Sequence, residues 1–211
     1  MQVFENIFLV GGDAYDSNIY VIDGEVIVDT GTGEFFTKIK QSIIDIGIDE
    51  LRVIVNTHAH YDHVGGNGNF KEWLPTVEFV AHTADADHIE RGEIVAELFG
   101  KNLTGSKIDE RLEDGDVLRT KHFNFVVVHT PGHTKGSICL YESSKKILIS
   151  GDTIFADGIG RTDLSGGSMG DMLESIKRLS KLDIDILLPG HGDIKVKGIK
   201  ALFDRLIKRY C

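Results

Sequence analysis

The chain has 211 residues, of which 41% are hydrophobic and 27% are charged, proportions that are ordinary for a soluble globular protein. A chain of this length fits a single α/β domain whose core needs no disulfide. Asp and Glu total 33 against 23 Lys and Arg, and the resulting net charge of -10 disfavours nucleic acid as a partner.

Targeting signals and cysteines bear on the compartment. The N-terminus lacks the basic and long apolar regions of a signal peptide, and no run reaches the roughly 20 apolar residues that span a bilayer. The two cysteines, Cys139 in an apolar run and Cys211 at the last position, are too few for a disulfide framework. We therefore expect a cytoplasmic protein with no membrane partner.

The first half of the chain predicts short strands followed by alternating strands and helices. Runs of β-branched residues predict the strands, and apolar residues three and four apart predict the helices. Asp23-Gly24, between two such runs, is a dipeptide typical of a tight hairpin turn. The predicted strands are Val3–Val10, Asn18–Ile22, Val26–Asp29, Arg52–Asn56 and Val77–Ala81, and the predicted helices are Phe35–Ile46, Thr83–Glu90 and Glu93–Phe99.

The second half repeats this organisation. The predicted strands are Asp116–Arg119, Phe123–His129, Ser137–Tyr141, Lys146–Ser150 and Ile184–Leu188, and the predicted helices are Met169–Leu179 and Val196–Tyr210. Two strand-rich halves, each carrying helices, predict an α/β fold of two sheets packed face to face with helices outside.

The densest group of metal-capable side chains lies in Thr57-His58-Ala59-His60-Tyr61-Asp62-His63, directly after a predicted buried strand. Side chains alternate along an extended segment, so His58 and His60 are expected to point the same way. Asp62 and His63 then turn toward a neighbouring point. This arrangement suits two ions side by side. Imidazole suits Zn, Fe, Cu and Ni, and the carboxylate widens that choice.

Three more candidate ligands each follow a predicted strand. His133 and His191 both come directly after a Pro-Gly pair, and Asp152 follows a glycine. Proline and glycine fix tight turns that bring the backbone close to a site. Since each ion needs about three protein ligands and an open position for water, these residues would complete two coordination spheres.

In this order the motifs resemble those of the metallo-β-lactamase-fold hydrolase superfamily. The resemblance rests on Asp29-Thr30-Gly31, His58–His63, His133, Asp152 and His191, and it covers nearly the whole chain. It implies one domain over residues 1–211 with a four-layer αβ/βα sandwich of two mixed sheets. It also implies a site at one edge of that sandwich.

The resemblance further implies seven ligands for two divalent ions, with zinc expected and iron or manganese as alternatives. The ligands would be His58, His60 and His133 for the first ion, Asp62, His63 and His191 for the second, and Asp152 as the bridge. Asp62 would lie near the nucleophilic water. Asp29 would orient a ligand histidine without binding metal itself.

The stretch from Gly151 to Asp163 is similar to that of glyoxalase II (hydroxyacylglutathione hydrolase) and its short relatives. The resemblance makes Arg161 a candidate substrate contact, with a structural salt bridge to Asp163 as the alternative. Tyr61 either lines the substrate mouth or packs. Because the sequence ends shortly after its last predicted helix, we expect no counterpart of the C-terminal helical extension of glyoxalase II, and the thiol carrier stays open.

The expected reaction is therefore hydrolysis of a small thioester, S-2-hydroxyacylglutathione or a related compound, by a metal-bridging hydroxide. A mononuclear iron persulfide dioxygenase is the first alternative, and a lactonase or other ester hydrolase is the second. A diiron redox module is disfavoured because such relatives carry Glu at the position of His60, and a structural metalloprotein would show no turnover. The remaining histidines, His82, His88, His122 and His129, are expected to be structural or on the surface.

Overall fold

The structure is a computed structural model that describes residues 1–12, 15–93 and 104–210. The chain forms two compact units, each built on one sheet. Unit 1 comprises Met1–Arg111 and Thr120–His122, and unit 2 comprises Leu112–Arg119 and Phe123–Cys211. Within the described ranges, no helix is long and apolar enough to cross a membrane. The single domain and the cytoplasmic location both stay predictions.

The sheet of unit 1 has seven strands that neighbour one another in chain order. They are β1 (Gln2–Phe4), β2 (Ile7–Leu9), β3 (Tyr20–Ile22), β4 (Val26–Val28), β5 (Val53–Asn56), β6 (Glu78–His82) and β7 (Glu110–Leu112). Strands β1 to β4 pair antiparallel, whereas β4, β5 and β6 pair parallel. Because parallel strands end at the same edge, the loops after β4, β5 and β6 lie together.

The described residues of unit 1 include the helices α1 (Phe36–Ile46), α2 (Tyr61–Val64), α3 (Asn67–Trp73) and α4 (Thr83–Arg91). Helix α1 ends at Gly47, whose left-handed conformation (φ 80°) lets its amide reach the carbonyls of the last turn. The buried face of α1, Ile39 and Ile43, joins an apolar core with Ile54 of β5 and Phe70 of α3.

The sheet of unit 2 has five strands in the order β12-β11-β10-β9-β8. They are β8 (Val117–Arg119), β9 (Asn124–His129), β10 (Ile138–Glu142), β11 (Ile147–Gly151) and β12 (Ile186–Pro189). Only β11 and β12 pair parallel. Strand β10 is antiparallel to both β9 and β11, so β9, β11 and β12 run in one direction and end at one edge.

Two helices complete unit 2, α5 (Met169–Leu179) and α6 (Ile199–Tyr210). Ser168 caps α5 by accepting a hydrogen bond from the Asp171 amide. Both helices bury one apolar face in a common core, which includes Met172 and Ile176 of α5 and Phe203 of α6. Cys139 lies in this core on β10, as expected, and burial raises the pKa of its thiol to about 11.

The predicted elements differ from the structure mainly around the His58–His63 segment. Strand β7 and helix α2 were not predicted, nor was helix α3, which follows a turn at Gly65 and Gly66. Helix α3 forms because Phe70 is fully buried and because Gly66 packs directly on the loop after β4, where a Cβ would lie 2.3 Å from the Thr30 carbonyl oxygen. Tertiary packing thus overrides the low helix propensity of glycine. The predicted helix Glu93–Phe99 lies outside the described residues beyond Glu93, and Cys211 lies outside them too.

The core position of Phe70 gives a stability prediction. Phe70→Ala should lower the free energy of unfolding by about 3–5 kcal/mol, because it removes a fully buried ring from α3. Ile44→Ala, at a position of α1 that is 48% exposed, should change it by less than about 1 kcal/mol. Urea unfolding followed by circular dichroism measures both. Equal losses in the two variants would contradict the core position of α3.

Candidate metal centre

Four of the predicted ligands lie close together in unit 1, after the end of β5. The rings of His58 and His60 have centroids 4.8 Å apart, and those of His58 and His63 lie 4.1 Å apart. Asp62 Oδ2 is 3.9 Å from His63 Nε2. The three histidines are almost fully buried. Unit 1 therefore offers three imidazoles and a carboxylate within one small volume.

The backbone bends over residues 57–59 and is extended at His60. That residue has φ -102° and ψ 151°, and helix α2 starts directly after it. The amides of His63 and Val64 both donate to the His60 carbonyl oxygen, at 3.0 Å. The rings of His58 and His60 lie side by side, while the alternation of side chains that predicted this stays a prediction. Asp62 and His63 instead project from one short helical turn.

Asp29 fixes the orientation of two of these histidines. It follows β4 with a positive φ of 62°, and its Oδ2 lies 2.7 Å from His63 Nδ1. Its carboxylate also accepts hydrogen bonds from the Thr57 amide and the Thr57 hydroxyl, each at 2.8 Å. Because the Thr57 hydroxyl donates to Asp29, its oxygen accepts from His58 Nδ1 at 3.1 Å.

Those contacts decide which ring nitrogen can ligate a metal. A hydrogen on Nδ1 of His58 and of His63 leaves the lone pair on Nε2. Metal-ligating histidines commonly donate their other ring N–H to a carboxylate or carbonyl in this way. The Asp29 contact with His63 is the arrangement expected of an orienting residue.

Asp85 is a residue of unit 1 that sequence reasoning missed. It lies in the first turn of α4, and its Oδ2 accepts a hydrogen bond of 2.8 Å from the Ala59 amide. This hydrogen bond holds the peptide group that joins His58 to Ala59. The signal that could have found Asp85 is its place directly after β6, at the edge where β4 and β5 also end.

Three predicted ligands of unit 2 follow β9, β11 and β12. Asp152 Oδ2 lies 3.5 Å from His133 Nε2 and 3.7 Å from His191 Nε2. His133 and Asp152 are buried, whereas the His191 side chain is 30% exposed. The loops meet through a hydrogen bond of 2.8 Å between the hydroxyls of Thr130 and Thr153.

The separations between ligand atoms fit shared metal ions. Atoms held about 2.0–2.2 Å from one ion in tetrahedral geometry lie about 3.3–3.6 Å apart. The Nε2-to-carboxylate distances of 3.5, 3.7 and 3.9 Å in the two units are near this separation and too long for hydrogen bonds. Imidazole with carboxylate is a donor set for divalent transition metals, and each unit contains both kinds of side chain.

The remaining sequence candidates also have defined places. Arg161 Nε and one terminal nitrogen each donate to the Asp163 carboxylate at 2.8 Å, and these hydrogen bonds lower the pKa of Asp163 to about 2. The Arg161 carbonyl oxygen lies 2.7 Å from His133 Nδ1. Tyr61 is only 2% exposed and its hydroxyl donates to Glu34 at 3.3 Å, which favours packing over a substrate contact.

The other histidines make local structural or surface contacts, as expected. His82 Nδ1 accepts from the Ala84 amide at the start of α4. His88 pairs with Glu93, and His122 pairs with Asp23. None of these three belongs to a potential metal cluster among the residues that the structure describes.

Comparison with known proteins assigns the family. Residues 12–191 match the sequence model of the Metallo-beta-lactamase superfamily. The chain belongs to that superfamily. Its α/β fold with two mixed sheets is the metallo-β-lactamase fold, as the resemblance implied.

Relatives within the superfamily agree with this assignment. The chain is 35% identical to a probable metallo-hydrolase of Methanocaldococcus jannaschii, over 89% of this chain and 93% of that protein. It is 32% identical to the hydroxyacylglutathione hydrolase GloC of Haemophilus influenzae, over 92% of this chain and 93% of that protein. The crystal structure of a di-iron-bound protein superposes with a TM-score of 0.77 at 29% identity, over 92% of this chain and 96% of that chain.

The contacts of Asp29 predict its effect on metal binding. Asp29→Asn keeps a residue type that tolerates the positive φ but cannot accept all three hydrogen bonds. We expect the affinity for Zn²⁺ to fall about 10–100-fold, measured by competition with a chromogenic chelator. Asp45→Asn, on the exposed face of α1, is the control and should leave the affinity unchanged. An unchanged affinity in Asp29→Asn would contradict the orienting role.

Proposed function

We propose that this superfamily member is a dinuclear metal-dependent hydrolase that cleaves thioesters. The observation that supports the proposal is a set of seven His and Asp side chains that could bind metal, four in unit 1 and three in unit 2. Seven ligands with one bridging carboxylate are enough for two ions that each keep an open position. The similarity to a hydroxyacylglutathione hydrolase over nearly the full chain supports the thioester substrate.

The proposed ligand assignment follows the order of motifs along the chain. His58, His60 and His133 would hold one ion, Asp62, His63 and His191 the other, and Asp152 both. Zinc is the expected metal, and the di-iron-bound neighbour supports iron as the main alternative. When bound, such a pair of ions supplies hydroxide from water near neutral pH and polarises a carbonyl oxygen.

The protein's own groups suit attack on a thioester. The Asp62 side chain is 19% exposed, so in the proposal its carboxylate faces and orients the attacking water. The Nδ1 protons of His63 and His133 are held by Asp29 and by the Arg161 carbonyl, which leaves these rings poor proton donors. A thiolate leaves with little protonation, so a thioester needs no strong general acid.

The guanidinium of Arg161 is the proposed contact for an anionic thiol carrier. The Arg161 side chain is 58% exposed and donates two hydrogen bonds to the Asp163 carboxylate, one to each oxygen. An exposed pair of this kind contributes little to stability, so a substrate carboxylate can share or replace Asp163. A small thioester such as S-2-hydroxyacylglutathione would present that carboxylate. Cytoplasmic location and the absence of a nucleic-acid partner belong to the same proposal.

Metal content and turnover test the function together. The purified protein should contain two divalent metal ions per chain by elemental analysis and should hydrolyse S-lactoylglutathione. Asp62→Asn should lower kcat by at least about 100-fold, because the attacking water loses the carboxylate that orients it. Asp49→Asn, an exposed control, should keep full activity.

Two results would contradict the proposal in different directions. One iron per chain with oxygen consumption on glutathione persulfide would indicate a persulfide dioxygenase. Hydrolysis of lactones without turnover of any thioester would indicate an ester hydrolase of the same fold.

The Arg161 contact has its own test. Arg161→Ala should raise KM for S-lactoylglutathione about tenfold with kcat unchanged, because the lost contact is made equally in the ground and transition states. A neutral thioester without carboxylates should show the same KM with both proteins. A fall in kcat with KM unchanged would place Arg161 in another role.

A further inference from the structure

The segment after Asp152 forms a hairpin, in which the Gly160 amide donates a hydrogen bond to the Thr153 carbonyl oxygen. Ile154 and Ile159 form an antiparallel bridge, and the Phe155 amide donates to the Gly158 carbonyl at 2.9 Å. Ile154 is fully buried in the core of unit 2, which fixes the hairpin at its base. The chain thereby returns to Asp152 with Gly160 beside it.

Gly160 occupies a gap between two proposed metal ligands. A Cβ at this position would lie 1.9 Å from the Asp152 carbonyl oxygen and 3.1 Å from His133 Nδ1. The first distance is far inside any real contact, and the atom met is backbone that cannot swing away. The positive-φ glycines of the described chain do not include Gly160. The requirement for glycine is therefore one of space and not of backbone conformation.

Because Gly160 approaches Asp152 so closely, the carbonyl of the following residue, Arg161, lies next to the His133 ring. The Arg161 carbonyl oxygen lies 2.7 Å from His133 Nδ1, and a carbonyl can only accept a hydrogen bond. The hydrogen therefore resides on Nδ1, and the lone pair resides on Nε2, 3.5 Å from Asp152 Oδ2. One short segment thus fixes both the tautomer of His133 and its spacing from Asp152.

We propose that Gly160 is a positioning residue of the metal centre. The missing side chain lets the Arg161 carbonyl select the Nε2-ligating tautomer of His133 and hold that ring at metal-sharing distance from Asp152. Arg161 then has two separable roles, since its backbone orients a ligand while its side chain pairs with Asp163. The inference rests on the proposed function only in taking His133 and Asp152 as metal ligands.

A matched pair of glycine variants tests the proposal. Gly160→Ala introduces the clashing Cβ, whereas Gly158→Ala places a Cβ in the same hairpin with no described atom within 4 Å. Arg161→Ala removes the side chain and keeps the carbonyl. The His133 resonances are assigned by comparison with a His133→Asn variant.

Two measurements read the effect without using enzyme activity. Long-range ¹H–¹⁵N NMR of metal-free protein at pH 8 reports the His133 tautomer. Wild type, Gly158→Ala and Arg161→Ala should show Nδ1–H, and Gly160→Ala should lose that signature. Chelator competition should give a Zn²⁺ affinity at least about tenfold weaker for Gly160→Ala, and within about twofold of wild type for the other two.

The outcomes separate this inference from the proposed function. Gly160→Ala with the wild-type tautomer and affinity would overturn the positioning role. If that variant does not fold, the wild-type spectrum decides, because a His133 tautomer protonated on Nε2 would overturn the proposal alone. Failure of the protein to hydrolyse any thioester, with the tautomer and affinity changes present, would contradict the proposed function and leave the role of Gly160 supported.

Discussion

The buried Asp29 carboxylate accepts hydrogen bonds from the Thr57 amide, the Thr57 hydroxyl and the His63 ring. Because the Thr57 hydroxyl oxygen also contacts His58 Nδ1, Asp29 orients His58 through Thr57. These three hydrogen bonds give partners to buried donors and to a buried carboxylate that water does not reach. A buried polar group without a partner costs about 1–3 kcal/mol. The same bonds attach the loop after β4 to the loop after β5. The histidine cluster of unit 1 therefore depends on this one side chain at a strand end.

Unit 2 solves the same problem with backbone. The Arg161 carbonyl holds Nδ1 of His133 as Asp29 holds Nδ1 of His63, and in each ring the lone pair is left on Nε2. Because a backbone carbonyl carries no net charge, it orients the histidine without adding negative charge near the Asp152 carboxylate. The cost is steric, because the carbonyl reaches the ring only where Gly160 leaves space.

Local patterns in the sequence predicted most strands and located the His and Asp side chains that lie close together within each unit, and the family resemblance pointed to Asp29 as the partner of a histidine. Metal-capable residues after predicted strands are visible in a linear chain, and so are apolar runs bounded by Gly and Pro. Sequence reasoning missed α3, Asp85 and Gly160, because each acts through a contact between distant segments. Helix α3 depends on the burial of Phe70, Asp85 on a bond to Ala59, and Gly160 on its approach to Asp152.

Anomalous diffraction from crystals of the zinc-loaded protein, recorded on both sides of the zinc absorption edge, would locate each bound metal ion and identify its ligand atoms. We expect two zinc peaks per chain. The Nε2 atoms of His58, His60, His63, His133 and His191 should lie about 2.0–2.1 Å from the ions, and Asp152 should contact both. A single peak, or ligation of His63 or His133 through Nδ1, would contradict the account, because those nitrogens are the ones held by Asp29 and by the Arg161 carbonyl.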